Sequence, residues 1–402
     1  QLATTPDSEF EHAYSEPLEV DLQNGQQLLD IHDPQQLVKD RHGTLITLHK
    51  KLHRGTFFVQ IQEGEMRWWK ALNISLVRPV SHRFVKQGEK LILILNNNTA
   101  SILRGQVVSE GLQYDVDLAG KSNEEISIPA SVLSKGTNRF KLLFKGSTWE
   151  IDYLDWDLHQ NTNYAVQDLS GYYNGRLSEI FEQQYLSPRP QGPTLQLPWQ
   201  GIGNWCYPLT TALIDDSGLM SARDGDQLNY LGIPFQIKGD KRNVIFTSQW
   251  DNYPTDARIE LSGKASKAYL LLAGSTNPMQ SQLVNAQLAV RYQDGTTQVL
   301  DLKNPENWWP IEQDFLDDDH AFELEDQKIP YRVALRTGEL FKGGQYSSYG
   351  EIKGFSSRAV EGGAATLLDF PLDQTKELES ITLKARANDV VVGLIAATLA
   401  RP

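Results

Sequence analysis

The chain has 402 residues, of which 40% are hydrophobic and 22% charged. That is an ordinary globular balance, long enough for two domains. A net charge of −13 makes nucleic acid and anionic membrane surfaces poor partners, whereas a neutral polymer is not repelled. The single cysteine, Cys206, excludes an internal disulfide framework and any multi-cysteine metal site.

No run approaches the roughly 18 apolar residues a membrane helix needs. A start at Gln1, without an initiator Met or a visible signal peptide, reads as a processed protein or a piece of a longer one. Residues 1–40 are polar and lack clear periodicity, as in a tail or connection.

From residue 41 short strands dominate. "GTFFVQIQEG" (Gly55–Gly64) and "EMRWWKALNISLVRP" (Glu65–Pro79) read as two strands, the second ended by proline. "EKLILILNNNT" is a short strand followed by a polar turn. "GLQYDVDLAG" alternates, with Leu112, Tyr114, Val116 and Leu118 on one face. "EEISIPASVLSKGTNRFKLLFKG" adds two strands around a glycine turn. Strands about ten residues apart predict an Ig-like β-sandwich over residues 41–157.

Residues 158–200 differ. In "GYYNGRLSEIFEQQYL", Tyr173, Leu177, Ile180, Phe181 and Gln184 recur at helical spacing, which predicts one short amphipathic helix. The proline-rich "SPRPQGPTLQLPWQG" favours extended backbone. The stretch reads as an ordered linker. Strand rhythm resumes over 201–402. "ARIELSGKASKAYLLLAGS" holds two strands, and "AQLAVRYQDGTTQVLDL" is a hairpin turning at Asp294-Gly295. "DVVVGLIAATL" is apolar on both faces and should be a central strand. The fold class expected is therefore all-β: two antiparallel β-sandwiches, Ig-like then jelly-roll-like, joined by a linker with one short helix.

Candidate chemistry is sparse. Cys206 has no local histidine to serve as a base, so it reads as a buried, inert thiol beside Trp205. Asp215 and Asp216 are adjacent and would point to opposite faces of a strand, so they cannot flank a glycosidic bond; an Asp-Ser-Gly turn fits better. The densest polar-aromatic stretch is "NPENWWPIEQDFLDDDH". Trp308 and Trp309 offer flat faces for sugar rings, with Glu312 beside them to accept hydroxyl hydrogen bonds. "TSQWDNYPTDARIEL" adds Trp250, Asp251, Asn252 and Tyr253 in a loop before a strand. These residues, Trp250, Asp251, Asn252, Tyr253, Trp308, Trp309 and Glu312, are the ligand-binding candidates. Were the chain catalytic, its acids would be Glu312, Asp314 and Asp251. A structural calcium would draw on Asp224 and Asp226 of "RDGDQLN", or on Asp317 and Asp319; no other cofactor is called for. In "EMRWWK" one Trp should be buried and one exposed. No G-x-S-x-G, P-loop, G-x-G-x-x-G after a strand or H-E-x-x-H is present.

Several long motifs point to one kind of protein. They are "YLSPRPQGPTLQLPWQGIGNWCYPLTTALIDDSG", "GIPFQI", "FTSQWDNYP", "SGKASKAYLLLAGSTNPMQSQ", "NPENWWPIEQD" and the ending "GGAATLLDFPLDQTKELESITLKARANDVVVGLIAATL". With these the sequence resembles the C-terminal region of large exported Bacteroidetes proteins, similar to six-hairpin glycosidases related to α-L-rhamnosidases and carrying accessory β-sandwiches. Residues 185–402 carry the resemblance, with 45–157 looser. It implies a glycan-degrading setting in the periplasm or at the cell surface, a glycan partner and a catalytic domain upstream. It carries over no catalytic residue, because in such proteins the acid and base lie on a helical barrel that this chain lacks the helices to build. Three readings follow: a carbohydrate-associated non-catalytic module, a β-sandwich hydrolase or lyase, and a purely structural scaffold.

Overall fold

The structure is a computed structural model. It describes residues 2–3, 54–63, 66–75, 80–88, 90–99, 101–109, 111–144, 147–158, 162–182, 213–239, 241–276, 280–314, 328–352, 356–388 and 390–401. For 2–3, 54–63, 66–75, 147, 351–352 and 356–357 the backbone alone is described. The chain divides into two compact units: Gln1–Ser134 with Asn138–Tyr153, and Lys135–Thr137 with Leu154–Pro402. The expected all-β class holds, and the ladders detailed below are antiparallel.

In the first unit, β1 (Leu2–Ala3), β2 (Arg54–Glu63) and β3 (Met66–Ser75) form one sheet in that order. The expected Trp68 and Trp69 strand is β3, paired opposite Ile61 and Gln60; the burial of those two rings lies outside what is described. β4 (Val80–Gln87), β5 (Lys90–Asn97) and β8 (Asn123–Ile128) make a second sheet. β6 (Leu103–Ser109), β7 (Leu112–Leu118), β9 (Gly136–Phe144) and β10 (Ser147–Asp155) make a third, in the order β10-β9-β6-β7. The last two close on each other through Phe84 of β4, whose ring lies 5.5 Å from Phe140 and 5.2 Å from Tyr153. Period-2 alternation places Leu93, Leu95, Val116, Leu118, Ile126 and Ile128 inside. Tyr114, assigned by that same alternation to the inner face, is 38% exposed instead. Its hydroxyl donates to Glu124 Oε1 at 3.1 Å, near the exposed end of the strand.

The second unit is built on one long sheet. Its path is β11 (Asn163–Val166), β25 (Val390–Arg401), β16 (Lys267–Thr276), β23 (Ala364–Pro371), β19 (Tyr331–Ala334) and β20 (Leu340–Lys342), with β14 (Ile245–Ser248) also pairing β25. A four-stranded sheet covers one face: β15 (Asp256–Glu260), β24 (Leu378–Ala385), β17 (Ala286–Tyr292) and β18 (Thr297–Leu302). Between them lies a core including Leu270, Leu272, Leu288, Val290, Ile381, Leu383, Val392 and Leu394. The other face is covered by the hairpin of β12 (Gln227–Tyr230) and β13 (Ile233–Gln236) and by irregular chain, burying Leu271, Phe235, Phe246, Trp250, Leu335 and Ile395. A further hairpin, β21 (Tyr349–Ile352) and β22 (Ser356–Val360), follows β20.

Burial on both faces explains the composition of β25, where eleven of twelve residues are buried. Its apolar run gives no alternation to read. The structure supplies one: a bulge opposite Leu271/Leu272 switches the parity, so Leu394 faces one core and both Ile395 and Ala396 the other. The Asp294-Gly295 hairpin forms as expected. Gly295 takes a φ of 83°, which a side chain would resist, and Asp294 Oδ1 accepts from the Thr296 amide at 2.9 Å.

The segment expected to form the amphipathic helix folds instead as two 3₁₀ turns, Ser170–Tyr172 and Leu177–Glu179, within the described residues. Tyr173, Leu177, Ile180 and Phe181 are buried as the spacing foretold, but Gly171 and Gly175 interrupt a regular helix, and the Gly175 carbonyl pairs across to Asn243 and Val244. The α-helix among the described residues is Ser217–Ser221. Asp215 Oδ1 accepts from the Ser217 amide at 3.0 Å, the turn expected of Asp-Ser-Gly, and the buried Asp216 accepts from Asn243 Nδ2 at 2.6 Å. Cys206, Trp205 and residues 183–212 lie outside the described residues.

Truncation should register most where both faces are filled. Leu394→Ala is expected to cost about 2–5 kcal/mol by transfer and cavity terms, read as a lowered urea midpoint at unchanged slope. A loss well under that range would mean that the two-faced packing is looser than described.

Candidate functional site

The nominated residues of the "NPENWWPIEQD" stretch fall on one segment that runs between strand ends. The Ile311 amide donates to the Gly274 carbonyl at 2.6 Å, and the Ala364 amide to the Ile311 carbonyl at 2.7 Å. The Val360 amide donates to the Glu312 carbonyl at 3.0 Å, and the Asp314 amide to the Arg358 carbonyl at 3.0 Å. The segment therefore fills the gap where β16 and β23 stop pairing, and is not a free loop.

That placement corrects the sugar-stacking expectation. Trp308 is 0% exposed, Trp309 2%, Trp250 1% and Tyr253 7%. Trp308 sits in the core between the two sheets; Trp250 and Tyr253 sit in the core on the far face. Trp309 donates from Nε1 to the Pro305 carbonyl at 2.8 Å, and its ring lies so close to Gly343 that a β-carbon there would fall 2.6 Å from Cζ3. A tryptophan buries more apolar area than any other residue, and short connections fold these rings back as core plugs. Asp251 is exposed and Asn252 half-buried in the Trp250–Pro254 turn, where the Ser248 amide donates to the Pro254 carbonyl at 3.0 Å.

Asp314 and Glu312 differ sharply. Asp314 forms a fully buried ion pair with Arg332, whose Nη1 donates to Oδ1 at 2.6 Å. Its Oδ2 accepts from the Tyr349 hydroxyl at 2.6 Å and from the Gly344 amide at 2.9 Å. Arg332 also donates to the carbonyls of Gln313, Pro310 and Ala364 at 2.6, 2.6 and 2.8 Å, and its guanidinium stands 5.7 Å from the Trp309 ring centre. Glu312 is 4% exposed. Its Oε1 accepts from the Ser275 hydroxyl at 2.9 Å, while Oε2 has no hydrogen-bond partner. Burial pushes its carboxyl up to about 7, against the smaller opposing effects of hydrogen bonds and Arg332.

The calcium candidates separate as well. Asp224 and Asp226 bracket an exposed turn in which Asp226 lies 3.9 Å from Arg223; Asp317 and Asp319 lie outside the described residues. Among the described residues no three Asp, Glu, His or Cys side chains converge in a metal-binding arrangement.

What sequence reading missed lies in "FKGGQYSSYG" (Phe341–Gly350) and its supports. The Phe341 and Tyr346 rings are 5.0 Å apart, and Tyr346 and Tyr349 5.6 Å. The Arg358 guanidinium covers the Tyr349 ring at 4.7 Å. Burial and the bond to Asp314 raise the Tyr349 hydroxyl above its ordinary pKa. The available signal was a Gly-Gly pair followed by two tyrosines spaced by two serines. The anchoring Arg332 carried none, since one arginine in "YRVAL" looks like any edge-strand charge.

Comparison with known proteins adds little. No protein-family model and no curated protein matches the chain. Among solved structures, a β-porphyranase of glycoside hydrolase family 86 from the human gut bacterium Bacteroides plebeius aligns at 9% identity with a TM-score of 0.16. The alignment covers 84% of this chain and 39% of that one. A score that low establishes no common fold.

Two tests address the buried acids. Asp314→Asn should destabilise by about 3–5 kcal/mol, because Arg332 is left charged and buried. Replacing both, as Asp314→Leu with Arg332→Met, should recover much of that loss in the same denaturation assay. Glu312 gives a pH signature. Its folded pKa lies above its unfolded value of 4.5, so its contribution is fully present at low pH. Stability should fall by up to roughly 3 kcal/mol as pH rises from about 4.5 to 7. Glu312→Gln should remove that slope, and an unchanged slope would contradict the buried-acid assignment.

Proposed function

We propose that this chain is a non-catalytic, carbohydrate-associated β-sandwich module of a glycan-degrading protein, binding glycan or supporting a catalytic domain upstream. The observation that carries the reading is the state of the nominated acids. Asp314 spends both oxygens on Arg332, Tyr349 and Gly344, and Glu312 is enclosed beside it. Hydrolysis of a glycosidic bond needs two carboxyls across one open cleft, roughly 5–10 Å apart. Asp314 and Glu312 are buried on a segment that fills the gap between β16 and β23, and the third nominated acid, Asp251, is exposed in a separate turn. The glycan setting, and a place in the periplasm or at the cell surface, rest on the sequence resemblance. The net charge of −13 is compatible with a neutral polysaccharide. No helix among the described residues is long and apolar enough to cross a membrane.

One observation favours the competing enzyme reading. A carboxyl held near 7 is suited to donate a proton at neutral pH. The two readings part in one assay: the purified chain incubated with plant and host polysaccharides while reducing ends are followed. No release is expected. Release that disappears in Glu312→Gln would overturn the non-catalytic reading and make Glu312 the acid.

A further inference from the structure

We propose that the ring pair Phe341 and Tyr346, backed by Tyr349 and Arg358, is a stacking site for one ring of a neutral saccharide. The proposal rests on the carbohydrate-associated reading above and gives it a location. Three observations support it. First, these aromatics stand apart from the two cores of the second unit, which include neither Phe341, Tyr346 nor Tyr349. All three rings are half-buried, so each keeps some surface open to solvent. Second, they are held in place from below. The Tyr349 hydroxyl donates to Asp314 and accepts from the Tyr346 amide at 3.1 Å and from Arg358 Nη2 at 3.2 Å. The Gly344 amide is fixed on the same carboxylate. A loop tied at two points to a fully buried ion pair is preorganised, and preorganised aromatics bind without a further ordering cost. Third, the surroundings mix polar groups with the rings. Gln345 and Ser347 are exposed on the same loop, and the charges of Glu361, Arg336 and Glu339 all act on the Tyr346 hydroxyl.

That chemistry matches a sugar. The C–H face of a pyranose packs on an aromatic ring while its hydroxyls bond amides and hydroxyls at the rim. It also selects for neutrality. Glu361 is paired with Arg336, and the carboxylates of Glu361, Glu339 and Asp314 outnumber that one arginine among the charges acting on the Tyr346 hydroxyl, so the local field disfavours a uronate or sulfate. The chain as a whole is strongly acidic.

The test is affinity electrophoresis of the full chain through gels holding soluble mixed-linkage β-glucan, xyloglucan or galactomannan, with polygalacturonate as the anionic comparison. Retardation is expected in at least one neutral gel. Tyr346→Ala or Phe341→Ala should weaken it about tenfold, and Tyr346→Phe should retain it. Gln345→Ala with Ser347→Ala, both exposed, should weaken it by a smaller factor without touching the fold. Retardation that survives Tyr346→Ala and Phe341→Ala would overturn the site while leaving the module reading intact. No retardation in any neutral gel, or retardation by polygalacturonate alone, would overturn it too. Reducing-end release in the same samples tests the non-catalytic reading separately.

Discussion

A sheet covered on both faces has no side on which a polar residue is free of cost. That constraint shapes the second unit. All ten residues of β16 and eleven of twelve in β25 are buried, so apolar residues on both faces outweigh alternation along these strands. The hydroxyls of Thr247, Thr276 and Thr366 have no hydrogen-bond partner, but the charged side chains that the sheet buries arrive with partners. Lys267 is one: its ammonium lies 3.3 Å from Asp369 and donates to the carbonyls of Lys135 and Thr137 at 2.7 and 2.8 Å. Asp369 in turn accepts from the Thr137 amide and hydroxyl at 2.7 and 2.9 Å. Arg332 of β19 and Asp314 solve the same problem one strand beyond β23. Burying an ion pair removes two charges from water, and only saturation of the remaining donors and acceptors offsets that. Both pairs come close to saturation, which makes them devices for fixing one arrangement of chain more than sources of stability.

Saturation also separates structure from chemistry among the acids. A carboxylate with an arginine, a phenol and an amide on its two oxygens has little left for a substrate. Glu312, two residues away, has one donor on one oxygen and none on the other. It stays buried by holding its proton to a higher pH. Two carboxyls on one segment thus reach burial by opposite routes, one by pairing as an anion and one by remaining neutral.

The parts legible in the sequence were local ones. The 286–302 hairpin shows because alternation and Asp-Gly lie within one window, and β25 shows as central because its first eight residues are apolar on both faces. The pairing of β25 with β11 and β14 was not legible, since it joins residues more than a hundred positions apart and each short strand carries no signal of its own. Neither was the bulge at Ile395, which leaves no trace in a run where every residue is apolar. The tryptophans misled for a related reason. A Trp-Trp pair beside acids has the same composition on a binding face and in a plugged sheet edge, and only Gly343, close against Trp309, tells the two apart. The half-buried rings of Phe341, Tyr346 and Tyr349 sat in a Gly- and Ser-rich stretch that reads as a turn.

The buried and exposed halves of the candidate region are one construction. Arg332 and Asp314 pin the 310–314 segment to the sheet, and the oxygen of Asp314 that Arg332 does not take is the one that holds Tyr349 and Gly344. Tyr349 passes the constraint outward, accepting from the Tyr346 amide and lying under Arg358. A rigid core element is therefore linked to the half-buried Tyr346 through a chain of hydrogen bonds. Loops that only connect strands need no such tether, because turn residues and solvent suffice for them. The same chain of bonds that takes Asp314 out of reach of acid-base chemistry supplies what a stacking site requires, aromatic rings fixed at the surface. On that argument the order of the aromatic loop and the saturation of Asp314 have one physical origin.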